Sequence, residues 1–356
     1  MRFHLSDEQV AIQDALRGAL ADAFPAEKRR RLTDADADFD ADSWSALMAL
    51  GLGGLAIPEV YGGSGLGLLD AALAVEVLGQ GAAPGPLAWH LLTGIAVARS
   101  ANAKARDAYL PDLASGETVA TVAFGGDWLP GGWTLGLEDG VVSGAVKFSP
   151  SAEAASLYLV GLAGGGLALV EAGEGVVATA VKSTDRTRRL GSLTFDKAKA
   201  VVLFEPGDPE VGHIFDAGLV LVAADALGGA QYCVDLSVDY AKTREQFGQP
   251  IGQFQALKHQ LANMALEVEP ARAMLWYAAY AYDAGLAEAP RVAALTKAHI
   301  CDRFVGITRA AIAAHGGIGY TWDYGLNDWF RRSIFDRAVL GSPAVHRDRA
   351  AALAGW

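Results

Sequence analysis

With 356 residues, 52% of them hydrophobic, and a mean hydropathy of +0.22, the chain has more apolar material than one simple core needs, so two or three packed units are expected. A net charge of −12, without any basic stripe, excludes nucleic acid and anionic membrane as its main partners. Its two cysteines, Cys233 and Cys301, sit among apolar helical neighbours without framework or metal spacing. They read as buried thiols of a reducing compartment, and with neither a signal-peptide start nor an apolar run of ~18 residues the sequence predicts a cytoplasmic location.

Residues 1 to about 116 read as helices. Ser6 with Gln9 forms a capping box, and Ile12, Leu16, Leu20 and Ala23 follow at helical spacing, so the first helix starts near Asp7. The acidic run at 34 to 42 reads as a solvated polar linker rather than a cation site. A helix from about Ser43 turns Trp44, Leu47 and Leu50 inward and stops at Gly51, Gly53 and Gly54. The following G-L-G-G-L-A-I-P-E-V-Y-G-G-S-G-L-G lacks G-x-G-x-x-G and joins no strand to a helix, which argues against a dinucleotide phosphate loop. Helical patterns return at 68–78 and 87–99 and in a segment ending near Leu113.

From Thr118 the period changes. Eight short β-rich runs, from T-V-A-T-V-A-F to K-A-V-V-L-F, are separated by Gly, Asp and Pro signals and predict a small sandwich or barrel ending near Phe204. E-P-G-D-P-E-V-G at 205–212 reads as a linker. Beyond it, four helices are expected: about Phe215 to Arg244, a second carrying the unbroken seam Phe254 to Tyr282, a third from Ala294 to Ile312 ending at Gly316 and Gly317, and a last near Ser342 to Leu353. Pro270 kinks the second helix rather than ending it. The fold class is therefore α+β multidomain: an N-terminal all-α domain (1–117), a central β-sandwich or barrel (118–205) and a C-terminal four-helix bundle (206–356).

The chemistry gathers at the break between the first two bundle helices, R-E-Q-F-G-Q-P-I-G-Q-F-Q from Arg244 to Gln255. Gly248 and Pro250 cannot both sit in a helix interior. The break exposes an arginine, the amides of Gln246 and Gln255, and the rings of Phe247 and Phe254, a grip for an anion and a flat ring. The seven histidines show no paired ligand spacing, so no metal site is predicted.

This order of units, together with Y-L-P-D-L-A-S-G-E, Y-A-K-T-R-E-Q-F-G-Q-P-I-G-Q-F-Q-A-L-K-H-Q-L-A-N-M and H-G-G-I-G-Y-T-W-D, resembles the acyl-CoA dehydrogenase family along almost the whole chain. The ending G-S-P-A-V-H-R-D-R-A-A is similar to a short bacterial branch that acts on bulky acyl-CoA thioesters such as steroid side-chain products. The resemblance implies FAD as cofactor, an acyl-CoA substrate, α,β-desaturation, and an electron-transfer flavoprotein or similar acceptor. It also implies that the helix break reaches a neighbouring subunit's FAD: Arg244 on the pyrophosphate, where a guanidinium fork matches phosphate oxygens, Phe247 and Phe254 over the adenosine, and Gln255 as a hydrogen-bond partner. Gly316 and Gly317 would let the backbone approach the same cofactor, or serve as a helix cap.

The departures from the family pattern bear on the reaction. The two places where the family keeps its catalytic glutamate fall on Leu340 and Gly218, neither of which can take an α proton. Asp216 lies about 200° around the helix from Gly218, and Asp225 and Asp336 are expected as surface or capping acids. V-A-F-G-G-D-W-L-P-G-G stands where the family has T-E-P-x-x-G-S-D, and Ala313 replaces an amide. The expectation is a subunit of a heteromeric acyl-CoA dehydrogenase whose partner chain carries the base. The alternatives are a homomeric dimer or tetramer with a relocated acid such as Asp216, a flavin-dependent monooxygenase, and a non-enzymatic scaffold.

Overall fold

The computed structural model describes residues 4–125 and 128–356. Helix α1 (Asp7–Ala23) begins at the expected capping box: the Gln9 amide N–H donates to Ser6 Oγ at 3.2 Å, and the Ser6 N–H donates to Gln9 Oε1 at 3.0 Å. There follow α2 (Ala26–Asp34), which the sequence pattern did not reveal, α3 (Ala41–Met48), α4 (Leu68–Gln80), α5 (Leu87–Arg99) and α6 (Ala103–Ser115). The acidic run is not simply a solvated linker. Asp40 caps α3 through the Ser43 N–H, and Asp38 is buried, accepting from Ser151 Oγ at 2.5 Å and the Arg189 N–H at 2.8 Å. These long-range donors, invisible in the local composition, make burial of that carboxylate tolerable.

The central unit is a seven-stranded sheet of β1 (Ala120–Ala123), β2 (Gly136–Glu138), β3 (Val141–Pro150), β4 (Leu157–Leu162), β5 (Gly166–Glu171), β6 (Val176–Val181) and β7 (Leu190–Phe204). Its order is β1-β4-β5-β7-β3-β2, with β6 also on β7; β1 and β4 are parallel and the other pairs antiparallel. The two apolar runs after residue 190 are one strand, β7, which pairs with β3 and β6 through its first part and with β5 through its last. The sheet curls until β3 meets β1, where Thr121 Oγ1 donates to the Pro150 carbonyl and Ser149 Oγ to that of Val122. Strand β4 alternates: Tyr158 and Val160 join the interior of the curl, Leu157 and Leu159 the core shared with the helices. Apolar residues on both faces are what a strand covered on both sides requires.

The helical remainder consists of α7 (Pro209–Thr243), a two-strand hairpin β8 (Glu245–Gln246) and β9 (Gln249–Pro250), α8 (Gln255–Asp283), α9 (Ala289–His315), α10 (Leu326–Ala338) and α11 (Pro343–Leu353). Thus α10 joins the four helices expected. Helix α8 runs through Pro270, and its seam from Met264 to Tyr282 faces inward. Helix α7 is long and apolar enough to cross a membrane by composition alone, yet its apolar stretch is covered by protein. It packs so closely on α4 and α9 that a side chain at Gly228 would strike the Glu76 backbone and one at Gly229 the Phe304 ring.

Asp225 and Asp336 are not surface acids. Arg332 holds Asp225 through two bonds of 2.6 and 2.8 Å, and Arg188 bridges Asp225 to Asp336, all four being buried. Desolvation favours the neutral acid, but the two guanidiniums outweigh it at Asp225 and hold that carboxyl well below its usual range. At Asp336 burial, with the Asp225 charge beside it, pushes the carboxyl up.

Candidate functional site

Helix α7 ends one residue before Arg244, which is its C-cap, and the chain turns back within two residues. Phe247 (φ +54°) and Gly248 (φ +80°) are both left-handed, the geometry of a type I′ hairpin turn, and the Ile251 N–H closes it on the Arg244 carbonyl at 2.8 Å. Holding a phenylalanine there costs about 1–2 kcal/mol, yet its ring is 93% exposed, touched edge-on by Phe254 at 6.0 Å. Arg244, Gln246 and Gln255 are exposed too, and among the described residues no carboxylate lies within 4 Å of the Arg244 guanidinium. An unpaired cation beside an exposed ring matches the requirements of a phosphate-bearing aromatic ligand.

The end of α7 lies beside the end of α9, because Tyr240 stacks on His315 at 4.5 Å. Gly316 (φ +64°) stops α9, a conformation that suits glycine, whereas Gly317 has no such φ; a methyl added to either would meet nothing within 4 Å. Ala313 is exposed on the same segment, and Ile318, Tyr320 and Trp322 continue the exposed apolar surface. Trp322 lies under the guanidiniums of Arg331, at 4.6 Å, and Arg186, at 5.5 Å. Sequence reading missed these three side chains, since single exposed apolar residues carry no periodic signal.

Leu340 and Gly218, far apart in sequence, meet in one place. A Cβ on Gly218 would lie 2.9 Å from Leu340 Cδ1 and 3.1 Å from Leu92 Cδ2, so the nearest neighbours there are leucine methyls. Leu340 is itself left-handed (φ +56°) and fully buried. Its carbonyl accepts from His346 Nε2 at 2.7 Å, and that of Gly341 accepts from Lys297 Nζ at 2.5 Å. Burial lowers the pKa of Lys297, and burial followed by the Lys297 charge lowers His346 to about 4, leaving the imidazole neutral at pH 7. Asp216 points to α11, where Arg349 pairs with it at 2.5 Å. Burial outweighs that pairing and raises the Asp216 carboxyl to about 6.

The segment 128–133 closes over the same place. Trp128 stacks on Trp89 of α5 (6.4 Å), and Trp133 stacks on Phe124 (4.8 Å), covers Gly161 of β4 and donates from Nε1 to the Trp128 carbonyl at 3.3 Å. Leu129 reaches Gly341, its Cδ2 lying 3.3 Å from where a Cβ would stand. Gly126 and Asp127 of V-A-F-G-G-D-W-L-P-G-G lie outside the described residues. Among the described residues no three metal-capable side chains converge.

Residues 6–117 match the family described as "Acyl-CoA dehydrogenase, N-terminal domain" and residues 211–354 that described as "Acyl-CoA dehydrogenase, C-terminal domain". The chain is 31% identical over 326 residues to the acyl-CoA dehydrogenase IpdE2 of Mycobacterium tuberculosis, covering 90% of this chain and 89% of that one. It is similar to isobutyryl-CoA dehydrogenase of Dictyostelium discoideum at 27% identity, covering 88% and 82%. Among solved structures it resembles the Tcur3481-Tcur3483 steroid ACAD, with a TM-score of 0.90, 30% identity and 98% of each chain covered.

Proposed function

The chain belongs to the acyl-CoA dehydrogenase family, and from that premise we propose that it is the subunit of a heteromeric, FAD-dependent acyl-CoA dehydrogenase that completes a partner chain's flavin site while the partner carries the catalytic carboxylate. One observation carries the reading: both places where the family keeps its base are apolar here, Leu340 packed against Gly218, with leucine methyls the nearest neighbours of the glycine. An α proton leaves a thioester only to a positioned base. Asp216, paired with Arg349 and turned about 200° around α7, has neither the direction nor the freedom to serve.

FAD, which Arg244, Phe247 and Gln255 would help to hold, would supply the two-electron oxidant for the desaturation. What this chain supplies is charge, shape and exclusion of water. The Arg244 guanidinium would neutralise the pyrophosphate, because its forked N–H donors suit phosphate oxygens. Phe247, already standing free of its own fold, covers the adenosine, backed by Phe254. Gln246 and Gln255 offer uncharged hydrogen bonds, and the open surface at Gly316 and Gly317 lets backbone approach the cofactor. Units 1–117, 118–205 and 206–356 serve as the N-terminal, central and C-terminal domains of a soluble cytoplasmic enzyme. The similar steroid ACAD, named for two products, Tcur3481 and Tcur3483, supports a paired assembly and a bulky acyl group. Likeness to a chain from a structure described as the electron transferring flavoprotein of Acidaminococcus fermentans supports an acceptor of that class.

Expression with and without a companion acyl-CoA dehydrogenase chain tests the proposal. The pair is expected to oxidise acyl-CoA, and this chain alone is not. A flavin-loaded homo-oligomer of this chain that turns over acyl-CoA sinks it.

A further inference from the structure

We infer that His315 is a positioning residue for cofactor binding: its imidazole is the post that holds the hairpin segment Arg244–Gln255 and the loop Gly316–Tyr324 in fixed register, so that the cation of one and the glycines of the other face a single ligand. The inference deepens the functional reading above and rests on it for what the two segments grip; the register itself is read from the packing.

The two segments leave the ends of different helices, α7 and α9, and both lie open: Arg244, Gln246, Phe247, Gly316, Gly317 and Tyr320 are exposed. His315, the last residue of α9, is buried between them, 4% exposed although Ala313 on one side and Gly316 and Gly317 on the other face solvent. Its Nδ1–H donates to the Ala311 carbonyl at 2.8 Å, which orients the ring. The ring then meets Tyr240 of α7 at 4.5 Å and Tyr324 at 4.9 Å, and the two tyrosines meet each other edge-on at 6.2 Å, separations at which aromatic rings attract. Tyr240 carries the hairpin, because its carbonyl accepts the Arg244 N–H at 2.8 Å. Tyr324 closes the far end of the loop. Gly319 presses on the same post from within the loop, since an added Cβ there would lie 3.0 Å from His315 Cβ and 2.7 Å from the Ile312 carbonyl. A phosphate and a ring on one ligand stand a fixed distance apart, so two grips act together when their separation is set before binding, which spares the ordering that binding would otherwise cost.

The test measures FAD affinity of the purified pair from the fluorescence of released flavin, and amide hydrogen exchange in residues 245–254 and 316–324 of this chain. The proteins compared are the unaltered pair, His315→Ala, His315→Phe, Arg244→Ala and the double variant His315→Ala/Arg244→Ala. His315→Ala is expected to weaken FAD binding about fivefold to tenfold, the scale of lost aromatic pairing, and to speed exchange in both segments. His315→Phe, which keeps both ring faces, should recover most of the affinity. With Arg244→Ala already in place, His315→Ala should cost no more than about twofold, because the hairpin no longer has a cation to position. Unchanged affinity in His315→Ala where Arg244→Ala lowers it, or an equal cost in both backgrounds, overturns the inference and leaves the functional reading intact. Arg244→Ala that does not weaken FAD binding sinks the functional reading instead, and exchange then decides: faster exchange in both segments upholds the register, and unchanged exchange overturns it. Tyr240→Leu removes the same stack from α7 and is expected to act as His315→Ala does, so the test stands even if the alanine variant does not fold.

Discussion

His90 offers a test of how α5 is fixed against the sheet. Its ring is buried, with Nε2 donating to the Leu113 carbonyl at 2.9 Å and Nδ1 accepting from the Ala120 N–H at 3.3 Å, while Trp44 packs edge-on at 5.0 Å. A proton on Nδ1 would set donor against donor between α5 and β1, and the helix that would shift carries Trp89, stacked on Trp128, and Leu92, packed at Gly218. Burial accordingly lowers the pKa of His90 from 6.5 to about 4. For a base whose folded value is depressed, the unfolded chain binds the extra proton. The contribution of His90 is therefore fully present above about pH 6.5, falls as pH drops towards 4, and is flat below. At about 1.4 kcal/mol per pH unit the loss amounts to roughly 3 kcal/mol. Raised acids act oppositely. Asp216, near 6 when folded, contributes stability below about pH 4 that is lost as pH rises through 6, so the raw pH profile mixes signs. The clean perturbation is His90→Gln, whose amide can keep both hydrogen bonds and does not titrate. Denaturant unfolding of the native chain and the variant at pH 7 and pH 4 should show their stability difference moving by roughly 3 kcal/mol against the native chain at the acid end. A difference that does not vary with pH refutes the argument.

Replacing Asp216 by asparagine should leave the turnover of the assembled enzyme within about twofold, whereas loss of a true base lowers kcat by about 10²–10⁴; stopped-flow reduction of the flavin distinguishes the two. Arg332→Leu leaves Asp225 with Arg188 as its remaining buried cation, and a loss of about 3 kcal/mol in denaturant unfolding is expected; a change below about 1 kcal/mol would show the network to be slack. Phe247→Ala should not alter the unfolding midpoint, because the ring touches little of its own fold, but should weaken association with the companion chain about tenfold, the effect of losing an interfacial aromatic anchor worth roughly 1.4 kcal/mol. Equal affinity in a titration of the two chains would remove Phe247 from the interface.

Local chemistry made much of this legible. The capping box at Ser6, the Gly248–Pro250 break and the three-and-four spacing of α8 are set by neighbours within one or two turns, so the residues themselves predicted the helices and the break from Arg244 to Gln255 between two of them. The same holds for the apolar character of positions 340 and 218, which composition alone reveals. What residues distant in sequence do together was not legible. Asp38 has no buried partner until Ser151 and Arg189 arrive, and Asp225 and Asp336 looked like ordinary acids until Arg188 and Arg332 enclosed them. Nor could spacing show that Leu340 and Gly218 touch, or that Leu129 reaches Gly341 beside them. Helix periodicity and turn chemistry act over a few residues and are written in order along the chain; burial of a charge or the meeting of two apolar positions depends on which surfaces the tertiary fold brings within about 4 Å.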